Sequence, residues 1–234
     1  MHLERGLSRY HPRAWIAGLL ALCLLVACHS APAQPAPTPT PTLLQTETAT
    51  RAPASTPEAA SLPTPCALAP VLVPTLPAVI PGYVELDAST NLHMTGNYQG
   101  FDLATYRLEI TGNVDHPMLI SYDELRCMPK MARRLVLDCP GYFSDEATWS
   151  GVPLDYLLNL AGARPQSYSI QLTSADGYYT TVSLEDVRTN QPFIAYEWEG
   201  QPLPILHGFP VRAVFPHMIG GKWVKWLVKI EVIR

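Results

Sequence analysis

Cys139 ends a short apolar run, Leu135, Val136 and Leu137, and is followed at once by Pro140 and Gly141, which force a turn. The pattern puts a thiol at a strand-to-loop edge, where a side chain is both fixed and reachable. As a thiolate it is a soft metal ligand, and a bound metal keeps it deprotonated; without a metal it is a small buried hydrophobe. Further on, Arg212, Lys222 and Lys225 are cations in an otherwise apolar region. An arginine fork can take two phosphate oxygens at once, and the adjacent Gly220-Gly221 pair lets backbone approach a ligand closely. The alternative for the two lysines is solvated charge at a strand edge. Tyr178, after the Asp176-Gly177 turn, carries a hydroxyl able to donate a hydrogen bond or pass a proton.

These residues need a scaffold, and the pattern around them is mostly strand. Tyr106 to Ile110 alternates before a Gly112-Asn113 turn, and Ser169 to Thr173 and Tyr179 to Ser183 flank Asp176-Gly177. Further strands are expected at Phe193 to Trp198, Val211 to Phe215 and Trp226 to Val232, with a Glu199-Gly200 turn between. Ser121 with Glu124 forms a capping-box signature for a one- or two-turn helix. Val152 to Ala161 has apolar residues at helical spacing, with Pro153 near its start and Gly162 as a stop. Many strands with few short helices, in no βαβ rhythm, predict an α+β domain dominated by mixed or antiparallel sheet.

The first 27 residues have the form of an export signal: Arg5, Arg9 and Arg13 precede an apolar run, Ala14 to Ala27, too short for a membrane span. The run closes on Leu25-Val26-Ala27-Cys28, which resembles a lipobox, so Cys28 is the expected lipidated residue and the mature protein an exported lipoprotein on the outer side of the cytoplasmic membrane, in the periplasm or at the cell surface. Residues 28–82 hold more than half of the 24 prolines and are expected to form an extended, largely disordered Pro/Thr/Ala-rich tether. Within them Cys66 to Pro81 is more apolar and able to pack on the domain. The ordered domain is expected over residues 83–234. Of five cysteines, Cys23 leaves with the signal and Cys28 takes lipid. Three remain, which flags a free thiol or an intermolecular bridge; pairing Cys66 with Cys127 would leave Cys139 free. A net charge of −4 without a basic stripe argues against a nucleic-acid binder.

Several separated blocks, Trp149 to Leu154, Asp176 to Asp186, Ala195 to Arg212 and Val214 to Val232, resemble in order and spacing the molybdenum-cofactor domain of the sulfite oxidase family, including its smaller bacterial members. The resemblance runs from about Tyr106 to the C-terminus. It implies a sulfite-oxidase-type fold and a molybdenum–molybdopterin cofactor, with Cys139 as the metal-binding thiolate. It implies further that Arg212, Lys222, Lys225 and the backbone around Trp223 and Val224 hold the pterin and its phosphate, that His207 contacts the pterin, and that Thr173 lies near the cofactor. Tyr178 matches a tyrosine beside the metal, and His217 is a candidate for the substrate funnel.

Two departures from the family stand out. Sulfite oxidases follow the cysteine with an arginine-bearing segment, whereas here PGYFSDEAT follows Cys139 and brings Asp145 and Glu146. Such carboxylates, if they face the pocket, repel a dianion. Upstream, the family's Asn-containing cofactor segment has no clear counterpart, and Asn91, His93 and Asn97 are candidates only. The expected activity is two-electron oxygen-atom transfer on a small neutral oxo-acceptor of sulfoxide or N-oxide type, with sulfite a poor substrate. The chain has no Cys-x-x-Cys-His haem site, so electrons are expected to pass to or from a separate cytochrome or a quinone-linked membrane subunit. The alternatives are a non-catalytic cell-surface pterin or small-molecule binder on the same scaffold, and a cell-wall or adhesion lipoprotein.

Overall fold

The computed structural model describes residues 66–234; the signal, Cys28 and the first part of the tether lie outside the described residues. Two short strands, β1 (Leu86–Asp87) and β2 (Leu92–His93), form a hairpin ahead of the main sheets. There follow β3 (Arg107–Gly112), β4 (Met118–Ser121), helix α1 (Tyr122–Arg126), β5 (Met131–Cys139), β6 (Phe143–Pro153) and helix α2 (Leu154–Leu160). The chain continues through β7 (Ser169–Ser174), β8 (Tyr179–Ser183), helix α3 (Leu184–Asn190), β9 (Phe193–Trp198), β10 (Gln201–Pro202), β11 (Arg212–Val214) and β12 (Leu227–Ile233).

One sheet runs β4-β3-β12-β7-β8, with β3 and β12 parallel and every other pair antiparallel. The second runs β10-β9-β6-β5, with β11 also pairing β9, and is antiparallel throughout. Alternation makes the core: Leu108 and Ile110 of β3, Ile170 and Leu172 of β7 and Ile230 of β12 are fully buried. They belong to one continuous apolar cluster with Trp149, Val152, Phe193, Ile194 and Val214 of the second sheet. Burying one such aliphatic side chain contributes roughly 1.5–3 kcal/mol. The result is the expected α+β domain of mixed and antiparallel sheet with short helices.

Three local expectations are corrected. PGYFSDEAT is not a loop: only residues 140–142 turn, and from Phe143 the chain is β6, paired with β5 from Cys139↔Phe143 to Met131↔Gly151. The helix expected from Val152 starts at Leu154, because Val152 and Pro153 continue β6 against Ile194 and Phe193. Helix α3 was not expected; Ser183 caps it, its hydroxyl accepting from the Asp186 N–H (3.0 Å). The Ser121 capping box forms as its sequence predicts.

Residues 66–82, assigned to the tether, contain no helix or strand but lie on the domain. A disulfide joins Cys66 to Cys127 just after α1, leaving Cys139 free. The Arg126 guanidinium donates to the Ala69 carbonyl (2.9 Å), and Val71 packs on the core. The fixed part of the chain therefore begins ahead of Tyr83.

Candidate functional site

The site is built around the end of β5. The turn after Cys139 is closed by the Tyr142 N–H donating to the Cys139 carbonyl (3.0 Å). Against the half-buried thiol lies a 3-10 turn, Gly220–Lys222. A Cβ on Gly220 would overlap Cys139 Sγ and crowd Leu137, whereas one on Gly221 would meet nothing nearer than the Tyr178 hydroxyl at 3.5 Å. The first glycine of the pair is therefore required by the thiol, and the second is not. Tyr178 closes the same corner, its hydroxyl donating to the Gly221 carbonyl (2.7 Å).

Two buried cations lie beside the thiol. The Arg212 guanidinium, at the start of β11, sits over the rings of Trp149 (4.6 Å) and Trp223 (5.7 Å) and donates to the carbonyls of His207 and Trp223 (both 3.2 Å). Its buried Nε has no partner. The Lys225 ammonium lies over the Trp226 ring (4.5 Å) and donates to the carbonyls of Thr95 and Leu206. Neither cation has a carboxylate within ion-pair distance among the described residues. Burial pushes both below their ordinary pKa values, Arg212 to about 9, at which it stays charged at neutral pH. Two buried cationic side chains whose contacts are carbonyls, ring faces and the Met94 sulfur suit an anion, since a buried charge costs free energy until it is paired.

His207, ending the 3-10 turn Ile205–His207, is also buried. Desolvation and the nearby Lys225 pull its pKa down to about 4, so it is neutral, and its Nε2–H donates to Asp87 Oδ2 (2.9 Å). This contact is a hydrogen bond rather than an ion pair, because the pull of Asp87 is outweighed by burial and by the cations.

Asp145 and Glu146 separate as β6 alternation requires. Glu146 faces solvent and pairs with Arg134 (3.1 Å). Asp145 is buried and receives the His93 backbone N–H (2.7 Å) and the His93 ring Nδ1 (2.6 Å). Burial pushes the Cys139 thiol pKa up, and Asp145 and Asp138 push it further; Arg212 and the Gly220 N–H work the other way without prevailing. The unliganded thiol is thus protonated at neutral pH.

A cleft of about 200 Å³ opens on this group and is lined by Cys139, Ser174, Tyr178, Trp223, Val224 and Lys225, among others. A smaller pocket of about 30 Å³ adjoins it, sharing Cys139, Trp223 and Lys225 and adding His93, His207 and Arg212. Seven of the expected residues, Cys139, Tyr178, His207, Arg212, Trp223, Val224 and Lys225, therefore come together. Lys222 does not: its ammonium donates to Thr180 Oγ1 (3.0 Å) and the Thr181 carbonyl (2.8 Å) on β8. Thr173 does not line the cleft, whereas its neighbour Ser174 does. His217 is exposed, at φ 63°, and lines neither cavity. Of the upstream candidates, His93 reaches the site, while Asn91 occupies the turn before β2 and the Asn97 backbone reaches toward Asp176 (3.5 Å). Thr95, whose carbonyl holds Lys225, gave no signal in the sequence.

The donor set fits a molybdenum–pterin group. Among the described residues no three His, Cys, Asp or Glu side chains are placed to hold a metal, so Cys139 is a single thiolate suited to a metal that arrives with other ligands. The uncompensated Arg212 and Lys225, with the orphan Arg212 Nε, suit an anionic group such as a phosphate.

Comparison with known proteins agrees. Residues 95–234 match the family model described as oxidoreductase molybdopterin binding domain. The chain is 32% identical over 134 residues to an uncharacterized oxidoreductase, YuiH, of Bacillus subtilis, covering 57% of this chain and 68% of that one. It is 31% identical to a putative protein-methionine-sulfoxide reductase subunit, YedZ1, of Azospira oryzae, covering 56% and 50%. It is also 31% identical to mitochondrial sulfite oxidase of Rattus norvegicus, covering 56% and 30%. The last two alignments thus span half or less of the relative's length. The fold is similar to that of the sulfane dehydrogenase SoxCD of Paracoccus pantotrophus, with a TM-score of 0.55 at 24% identity over 58% of this chain and 40% of that one. With the family model covering most of the described domain and the thiol, glycine pair and buried cations assembled at one cleft, the chain belongs to the oxidoreductase molybdopterin binding domain family and is a molybdopterin-dependent oxidoreductase.

Proposed function

We propose that the protein is an exported, lipid-anchored oxidoreductase that removes the oxygen atom from a small neutral substrate of sulfoxide or N-oxide type. The observation that carries this reading is the placement of the free Cys139 thiol at a cleft lined by Asp176 and Lys225, with Arg212 and the buried Asp145 in the pocket that adjoins it. When bound, the cofactor would supply the two-electron couple. Cys139 would fix its position, Arg212 and Lys225 would hold its anionic end, and Tyr178 offers a hydroxyl at the mouth. For a sulfoxide the balance is one S=O bond broken, two electrons and two protons taken up, and a thioether and water released. The electrons come one at a time from a separate reduced protein, a cytochrome or a quinone-linked membrane subunit; similarity to a reductase subunit supports that arrangement.

Anionic sulfite is disfavoured because carboxylates border the thiol on both sides, Asp176 in the cleft and Asp145 in the adjoining pocket; Glu146 faces outward and takes no part. The Cys66–Cys127 disulfide suits an oxidising compartment and supports export. The test is expression in a host that makes the cofactor, followed by molybdenum and pterin analysis and assays with a reduced dye. Wild type should contain both and reduce dimethyl sulfoxide or trimethylamine N-oxide, and Cys139→Ser should lose turnover. Sulfite oxidation at ~10⁴ M⁻¹s⁻¹ or above with sulfoxides inert would overturn the substrate assignment. Labelled fatty acid should enter wild type and not Cys28→Ser.

A further inference from the structure

We propose that the apolar recess beside Cys139 is a substrate vestibule that selects neutral sulfoxides carrying an aromatic group; this rests on the oxygen-atom-transfer reading above and names its substrate class. The recess has a volume of about 390 Å³. Its walls are Tyr83, Val84, Pro140, Tyr142, Phe143 and Ile219, and Cys139 with the Gly220-Gly221 backbone joins it to the cleft that holds Lys225 and Asp176. The thiol therefore stands where a cleft bearing charged side chains meets one without them. The cations Arg212 and Lys225 border the polar cavities, and no charged side chain lines the recess.

Three large side chains on this wall are left to solvent: Tyr83 is 75% exposed, Tyr142 73% and Ile219 55%. Large apolar groups clustered at the mouth of a site mark a surface that a ligand covers. Phe143 is held rigid, because its ring stacks on His93 (centroids 4.6 Å, 12° between planes) and His93 is fixed by Asp145. Rigid aromatic walls take an aromatic guest by offset stacking or edge contact. A charged guest would lose hydration there and find no partner.

The experiment uses the full chain loaded with cofactor and a reduced viologen as electron donor. Methyl phenyl sulfoxide should exceed dimethyl sulfoxide in kcat/KM by about tenfold or more, through KM, as expected for an added apolar contact in a matching pocket. Tyr142→Ala and Ile219→Ala should each cut that ratio severalfold, and a para-carboxylate on the ring should abolish the advantage. Calorimetric binding of methyl phenyl sulfone gives a second measurement independent of turnover: it should bind wild type and weaken in Tyr142→Ala. Equal efficiencies for the two sulfoxides together with no change in sulfone binding overturn the vestibule and leave oxygen-atom transfer standing. Sulfone binding that depends on Tyr142 without turnover of any oxo-acceptor supports the aromatic recess and overturns the catalytic reading.

Discussion

The Cys139 thiol is held protonated by burial and by two carboxylates, although a metal can bind it only as the thiolate. Loading therefore releases a proton, and Asp145 resists the charge that the metal later stabilises. Removing that resistance has a measurable sign. In cofactor-free protein, Asp145→Asn should speed alkylation of Cys139 by iodoacetamide at pH 7.5 severalfold and shift its rate–pH profile to lower pH. An unchanged profile would mean that desolvation and Asp138 set the thiol without Asp145. A second residue-scale prediction concerns His207, whose folded pKa of about 4 lies below its ordinary 6.5. Between those values the unfolded chain binds the extra proton, so stability is full above pH 6.5 and falls as pH drops toward 4. Cofactor-free protein should lose about 2 kcal/mol between pH 7 and pH 5 from this group. Urea midpoints would show His207→Asn with a flatter profile over the same range. Cys139, Arg212, Lys225 and Tyr178 were legible from residue type and the spacing of the blocks around them. The role of Lys222 was not, because a lysine directly after a glycine pair points to either side depending on where the 3-10 turn Gly220–Lys222 ends, and here it turns to β8.

At the scale of elements, the reach of β5 to Cys139 matters only because the 3-10 turn Gly220–Lys222 presses backbone against the thiol. Gly220→Ala should lower the molybdenum content of purified protein sharply while the far-UV spectrum stays native, since an added methyl there meets Sγ and Leu137; overpacking of this kind costs about 1–3 kcal/mol. Gly221→Ala, whose methyl finds ordinary contact distance, should retain metal near the wild-type level. Equal loss in both variants would show that chain flexibility, rather than room for the thiol, is what the pair provides. The strands flanking Asp176-Gly177 were readable because β-branched residues alternate and a turn separates them. β6 was not, because it begins Phe143-Ser144-Asp145-Glu146, and two adjacent acidic residues look like a solvated loop. Pairing along the whole length of β5 overrides that local preference, and the alternation then sends Asp145 inward and Glu146 outward. Helix α3 escaped notice because it follows β8 without an intervening loop, its only signal being Ser183 three residues before Asp186.

At the scale of the whole molecule, the disulfide and the extended segment 66–82 tie the start of the described chain to α1, and hence to the sheet edge at β4. Composition predicted a tether through residue 82, because prolines at close spacing exclude a central strand, while its apolar last part was able to pack on the domain and Cys66 to pair with Cys127; that Ala69 meets Arg126 and Val71 the core was not readable, since those contacts are long-range. Cys66 and Cys127 are 61 residues apart in sequence. Cross-linking them removes closure entropy from the unfolded chain, and a bridge of this loop length contributes typically 2–4 kcal/mol. The double variant Cys66→Ser/Cys127→Ser should therefore unfold at a lower urea midpoint, with a stability loss in that range. Cofactor content should hold under native conditions, because neither cysteine lines the cleft. The single variants should lose a similar amount and, in addition, leave an exposed thiol able to form dimers under oxidising conditions, which non-reducing gels would detect. A double variant as stable as wild type would mean that the contacts of Arg126 and Val71 already fix the segment, and that the bridge serves to keep its pairing rather than to hold the fold.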